Sequence, residues 1–295
     1  MHSSSLACVV IASLGVSVVI TLGCGTTAPT PTPTPTPTPG PTQPWSASQL
    51  AALALFDAAS VHRNVTTSPI DWATEVGKGW TNGPCPGGSG SLQASLDGGL
   101  SPTPGTLPTG SHTYMVSFSN CLIHSLAGWE LTGVASAAYN AADWSNVTAT
   151  VSAESVRGQM LNFHSALDDV TAAGSAVWTS VGSTTRTMTY TPATGSRLVN
   201  NSTTNVATFG GGSFSHIRYP GNRWEHRFDN LKVAINGTEY TLNGSLEFAM
   251  GSDRFGTYSH TGEIRIINNG TVVARIYGDV RNVLTIEVLV PLVPL

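Results

Sequence analysis

Three histidines near the C-terminus, His216, His226 and His260, are the residues whose type could hold a metal ion. Their spacing fits no metal-ligand motif. His226 falls in phase with Trp224 and Phe228 on an alternating run, so a packed imidazole is the expected role. Asp168 and Asp169 could be paired carboxylates for acid–base work, but adjacent strand residues point to opposite faces and cannot share a site. Asp169 reads instead as turn chemistry at a strand end. Glu225 and Arg227 flank His226 on the other face, where a surface ion pair is expected. The chain has no HExxH, no GxSxG elbow, no Walker loop and no dinucleotide fingerprint. No catalytic or metal-ligating set is assigned, and no cofactor is expected. Seven tryptophans remain: Trp45, Trp72, Trp80, Trp129, Trp144, Trp178 and Trp224. Trp224 and Trp129 fall on core-facing positions. Trp80 and Trp144 sit in loop-like contexts, where a ring stacks on a sugar or, more commonly, packs a loop onto a sheet.

Composition narrows the partners. Of 295 residues only 10% are charged, the net charge is −4, and no run of Lys or Arg occurs. Electrostatic binding to nucleic acid is not expected on that balance. The first 44 residues divide into two unlike segments. Leu6 to Leu22 is apolar and uncharged, suited to a signal-peptide core. From Cys24 a Thr-Pro run continues to Pro44, and each proline biases its neighbour towards extended backbone. From Ala28 to Pro44 such a strut spans about 50 Å.

Residues Thr21-Leu22-Gly23-Cys24 resemble the lipobox of bacterial lipoproteins. That resemblance implies cleavage before Cys24 and a lipid on its sulfur. Plain secretion, with cleavage near Gly23 or Ala28, is the alternative. Cys8 leaves with the signal peptide on the first reading, so Cys85 and Cys121 remain as an even pair in an exported chain. A disulfide is expected there, and a metal or reactive-thiol site is the weaker alternative.

The elements that carry these residues follow from periodicity. Ser46 and Gln49 form a capping-box pattern ahead of a helix expected from about Ala47 to Val61. Beyond Thr66 short alternating runs broken by Gly, Pro and Asn-Gly predict strands, with type I′ hairpins at Asn236-Gly237 and Asn269-Gly270. An internal repeat organises them. Phe118-x-Asn120 followed by Leu131-x-Gly133 recurs as Phe228-x-Asn230 followed by Leu242-x-Gly244. Upstream, GGSGSL from Gly87 matches GGSFSH from Gly211. Downstream, a hairpin around Arg157-Gly158 ending in Asp169-Val170 is matched to the one around Asn269-Gly270 ending in Asp279-Val280. In this alignment Cys121 corresponds to Leu231, and Cys85 falls near Phe209. Gly133 and Gly244 sit mid-strand, where glycine marks a bulge or bend. The expected fold is all-β: one large curved antiparallel sheet, a meander approaching a half-barrel. It is built from two tandem related units, about 80–195 and 205–295, with one N-terminal α-helix. The organisation is a signal peptide at 1–23, a linker at 24–44 and a β-rich domain at 45–295.

The repeated F-x-N-C and L-x-G-S patterns behind a lipobox resemble uncharacterised proteobacterial lipoproteins. The resemblance implies a location and a fold but no activity. The expected protein is exported to the cell envelope, anchored by its N-terminal lipid, with the outer membrane as its expected site. Its β-domain is read as a non-enzymatic binding or scaffolding module for an envelope polymer or protein. A carrier of lipid or another apolar ligand in the curved sheet is the alternative, and a hydrolase with an unrecognised site is the least favoured.

Overall fold

The computed structural model describes residues 45–76, 81–86, 88–100, 107–124, 129–160, 167–181, 185–200, 204–250, 258–279 and 283–294. The segments expected to be signal peptide and linker, with Cys24, lie outside them. So do Trp80 and most of the Pro-rich loop before Gly110.

Helix α1 spans Ala47–Val76. The capping box forms as expected. The Ser46 amide donates to Gln49 Oε1 at 2.9 Å, and the Gln49 amide donates to Ser46 Oγ at 3.3 Å. The helix runs 15 residues past the predicted end at Val61. The run Val65-Thr66-Thr67 has poor helix propensity, and Pro69 lacks an N–H, at a cost of about 3 kcal/mol in a helix interior. Burial overrides both. Val65, Thr66, Thr67 and Ile70 are all buried, and the two threonine hydroxyls bond back to the carbonyls of His62 and Arg63 at 2.7 and 2.9 Å. A helix enclosed on most sides is held by its surroundings rather than by propensity.

Among the described residues, sixteen strands form one sheet around it. The first unit comprises β1 (Gly83–Pro84), β2 (Ser91–Leu96), β3 (Gly99–Leu100), β4 (Gly110–His124), β5 (Trp129–Asp143), β6 (Asn146–Met160) and β7 (Leu167–Val181). A bridge follows: β8 (Thr185–Pro192), β9 (Ser196–Asn200), β10 (Val206–Phe209) and β11 (Ser213–Tyr219). The second unit continues with β12 (Arg223–Ile235), β13 (Thr238–Met250), β14 (Tyr258–Asn268), β15 (Thr271–Gly278) and β16 (Leu284–Val288). Every pairing among these strands is antiparallel. The long strand β7 pairs with β9 through its first half and β8 through its second, and β12 pairs with β11 and then β10. The sheet therefore divides between the units and closes again. Helix α1 packs on β4 to β7 and also on β15 and β16, near opposite ends of the sheet. Both contacts require the sheet to curl around the helix. Gln49 Nε2 also donates to the Ile286 carbonyl of the terminal strand β16 at 2.8 Å.

The same backbone device occurs in both units. Strand β4 bulges between Phe118 and Cys121, and β12 bulges between Phe228 and Leu231. Asn120 and Asn230 occupy the bulges with φ of 45° and 49°. Gly133 and Gly244, at φ 123° and 109°, pair with Phe118 and Phe228. A Cβ on Gly90 would collide with the Asn120 carbonyl, and one on Gly212 with that of Asn230. Only glycine allows these approaches.

Strand register corrects the downstream half of the repeat. Arg157-Gly158 lies inside β6, paired with Asp169 and Asp168, and is not a hairpin turn. Leu131 faces Gly158 as Leu242 faces Ile266, so by register Arg157 corresponds to Arg265. Asp169 is likewise a strand residue, 3.2 Å from Arg157 Nε, rather than a turn residue. The hairpins at Asn236-Gly237 and Asn269-Gly270 do form, with positive φ at both residues of each.

Candidate functional site

Strands β4 to β7 present two unlike faces. The inner face carries Ala135, Ala137, Ala141, Ala149, Ala153, Ala172 and Ala176, all buried. Small residues there let α1, with its own Ala51, Ala52, Ala58 and Ala59, approach the sheet closely. The alternate residues form the outer face. Register aligns them in rungs: Thr113, Ala138, Thr150 and Ser175 in one, and Ser111, Asn140, Thr148 and Val177 in the next. All eight are exposed. They line an open trough of about 540 Å³. The hydroxyl pattern extends to Ser136 and Ser152, whose oxygens are 2.7 Å apart, and to Thr189 and Ser215 at 2.9 Å.

Asp97 and His112 stand at one end of the trough. Asp97 belongs to the Asp97-Gly98 turn, with φ 51° and 74°. Its Oδ1 accepts from the Thr113 amide at 2.8 Å, and its Oδ2 lies 2.7 Å from His112 Nδ1. His112 Nε2 faces the Thr109 carbonyl at 3.2 Å. Both ring nitrogens therefore meet acceptors, an arrangement that the doubly protonated imidazolium satisfies. The hydrogen bond to Asp97 accordingly raises the His112 pKa, and the Thr113 amide with His112 lowers that of Asp97. Held between the Asp97 carboxylate and the Thr109 carbonyl, the ring is fixed in position at both nitrogens. Tyr139, also on the lining, donates to the Pro108 carbonyl at 2.9 Å, and burial pushes its phenol up to about 12.

The residues singled out from sequence go elsewhere. Cys85 and Cys121 are joined by a disulfide with Cα atoms 5.5 Å apart, and both are buried. His216 on β11, the last strand of the bridge, and His226 on β12 of the second unit lie side by side on the inner face, ring centroids 5.1 Å apart. His260 is separated from them by the Phe248 ring, which sits 5.2 Å from His226 and 5.1 Å from His260. His226 also stacks on Phe56 at 5.5 Å, so it packs in an aromatic cluster as its phase predicts. Among the described residues no group of three or more His, Cys, Asp or Glu could hold a metal ion. Glu225 and Arg227 form the expected pair at 3.0 Å, but Glu225 is only 6% exposed and also accepts from Tyr219 Oη at 2.7 Å. Trp144 packs beside Tyr139 at 5.7 Å, and Trp224 lies parallel to Phe248 at 5.7 Å.

Sequence reasoning misses the trough and the Asp97–His112 pair. Asp97-Gly98 between alternating runs is a hairpin signal that aligns β2 with its neighbours once it is read as one. The trough itself has no motif: it is a property of register across four strands. No helix of the described residues is long and apolar enough to cross a membrane, which leaves crossing by strands unaddressed. No family model matches the chain, nor does any curated protein or solved structure.

Proposed function

We propose that this chain is an exported lipoprotein, anchored through Cys24, whose β-domain is a non-enzymatic binding module. Its recognition face on this reading is the outer surface of β4 to β7. The observation that carries it is the trough: a wide exposed surface of hydroxyl, amide and methyl groups, with the Asp97–His112 pair at an end. An uncharged polar surface suits a partner that binds through many weak hydrogen bonds, an envelope glycan strand being the simplest case. The competing carrier reading needs the concave side of the sheet, and α1 occupies it.

Co-sedimentation with purified cell-wall sacculi tests the face. The native chain should pellet with the polymer. A Thr148→Arg/Thr150→Arg chain, altered only at exposed positions, should stay in solution with an unchanged melting temperature. Equal pelleting of both chains, or of neither, sinks the assignment. The anchor is tested separately: Cys24→Ala should move the protein from the membrane to the soluble fraction and abolish incorporation of a labelled fatty acid.

A further inference from the structure

The contact between α1 and the second unit is unusually rich in imidazole. His62 is 1% exposed, stacks on Phe209 at 4.1 Å, and has no hydrogen-bond partner for Nε2. His216 and His226 adjoin each other, and the buried Nδ1 of each is also without a partner. Arg63, 8% exposed, places its guanidinium 5.4 Å over Phe214, and the Phe214 ring is 5.3 Å from His226. Besides burial, the guanidinium groups of Arg63 and Arg218 and any proton on His226 disfavour a proton on His216, and Arg63 acts in the same sense on His226.

We propose that His62, His216 and His226, packed around Arg63, form an acid-sensitive latch that loosens α1 from the concave face of the second unit. Opening bares an aromatic surface made by Phe56, Phe214, Phe228 and Phe248. Each element packed against the latch adds groups that face it. Helix α1 brings Arg63, β8 brings Tyr190, β11 brings Arg218 and β14 brings His260, and α1 also buries Asp57 and Ser60 along its length. Strands β12 and β13 turn Glu225 and Glu247 to the other face.

Linkage gives the size and sign. Burial lowers the pKa of His62 and His226 to about 3 and puts that of His216 well below the ordinary value. Between pH 7 and 5 an opened histidine of ordinary pKa takes up a proton that the closed one refuses. Each ring then favours opening by about 25-fold. Asp57 acts the other way. Burial raises its pKa to about 7, so the closed state takes up its proton over the same range, favouring closure by about 50-fold. The net expectation is an opening constant that rises about 300-fold from pH 7 to pH 5.

Hydrogen exchange of the full disulfide-bonded chain at pH 7 and pH 5, corrected for intrinsic rates, reads this directly. Amides of α1 should show the rise while those of β4 to β7 hold. Asp57→Asn should enlarge the pH effect by about 50-fold, and His226→Phe, a ring placed among phenyl rings, should reduce it by about 25-fold. An α1 opening constant that is the same at both pH values overturns the latch. So does exchange of α1 in step with β4 to β7, which would mark global acid unfolding. The native chain and Asp57→Asn suffice if His226→Phe does not fold.

Discussion

The two units share a backbone device and differ in almost every side chain it carries. Both bulge at an asparagine of positive φ, bend at a glycine, and receive a second glycine against the bulge carbonyl. Even the cross-strand bond recurs: Thr132 Oγ1 donates to Asn120 Oδ1 at 3.0 Å, and Asn243 Nδ2 to Asn230 Oδ1 at 3.0 Å. On the inner face, however, the first unit is alanine-rich, whereas the second is lined by Ile264, Ile266, Ile276, Leu242 and phenyl rings. The first unit's outer face carries hydroxyls. The second's carries ion pairs, including Arg223–Glu247 at 2.7 Å, Arg227–Glu225 at 3.0 Å and Lys232–Glu239 at 3.3 Å. Curvature needs only the device. What fills the inside depends on how closely α1 approaches, and the outside is free to vary.

The largest test of that comparison concerns the position where the alignment sets Cys121 against Leu231. The inner face of the first unit is lined by small alanines, and a covalent staple across 36 residues ties that unit together. Closing that loop stabilises by about 4 kcal/mol on the chain-entropy model. Cys85→Ala/Cys121→Ala should lower the urea midpoint accordingly, and reducing agent should then have no further effect. Leu231→Ala in the second unit should cost about 3 kcal/mol through the cavity it leaves. A disulfide variant as stable as the native chain would show that the first unit holds without its staple, and the contrast in packing would lose its consequence.

Much of this contrast is legible in the sequence itself. The capping box, the two Asn-Gly hairpins, the alternation of β13 and the pairing of two cysteines all rest on interactions within a few residues or on parity. What escapes a sequence reading depends on distant chain. The second half of α1 has the local chemistry of a strand, and only the surrounding sheet makes Val65 to Ile70 helical. Arg157-Gly158 reads as a turn because Gly breaks patterns, yet it pairs within β6. The division of the sheet between β7 and β12 leaves no periodic trace at all. The trough escapes for the same reason as the second half of the helix, since Thr113, Thr150 and Ser175 are unremarkable until register sets them side by side.

A smaller effect separates the outer faces. Glu225 is 6% exposed, and burial alone would raise its pKa. Bonds from Tyr219, Ser245 and Arg227 outweigh that, so the net shift is downward. A depressed carboxylate contributes stability above its unfolded pKa and loses it as pH falls through the folded value. Glu225→Gln should therefore destabilise at pH 7 by about 1 kcal/mol and have little effect near pH 3. On the outer face of the first unit, Thr150→Arg should leave urea midpoints unchanged at both pH values, because an exposed hydroxyl is replaced by an exposed cation. A stability loss there would erase the distinction.

The finest discrimination uses histidines as reporters, one in each unit. His112, bonded to Asp97 at the trough, has a raised pKa; burial holds His226 down to about 3. The linked effects on stability have opposite signs. The His112 contribution is present below its unfolded value and is lost as pH rises through the folded one. The His226 contribution is present above the unfolded value and is lost as pH falls towards 3. A proton NMR titration between pH 4 and 9 should show the His112 ring moving above pH 6.5, with the His226 ring unmoved over most of the range. Asp97→Asn should return His112 towards the ordinary value and leave His226 untouched, since the two groups sit on different units. If both rings titrated together near pH 6.5, the hydrogen bond at the trough and the packing of His226 under α1 would both be absent, and the two units would be alike in the one respect in which their chemistry should differ most sharply.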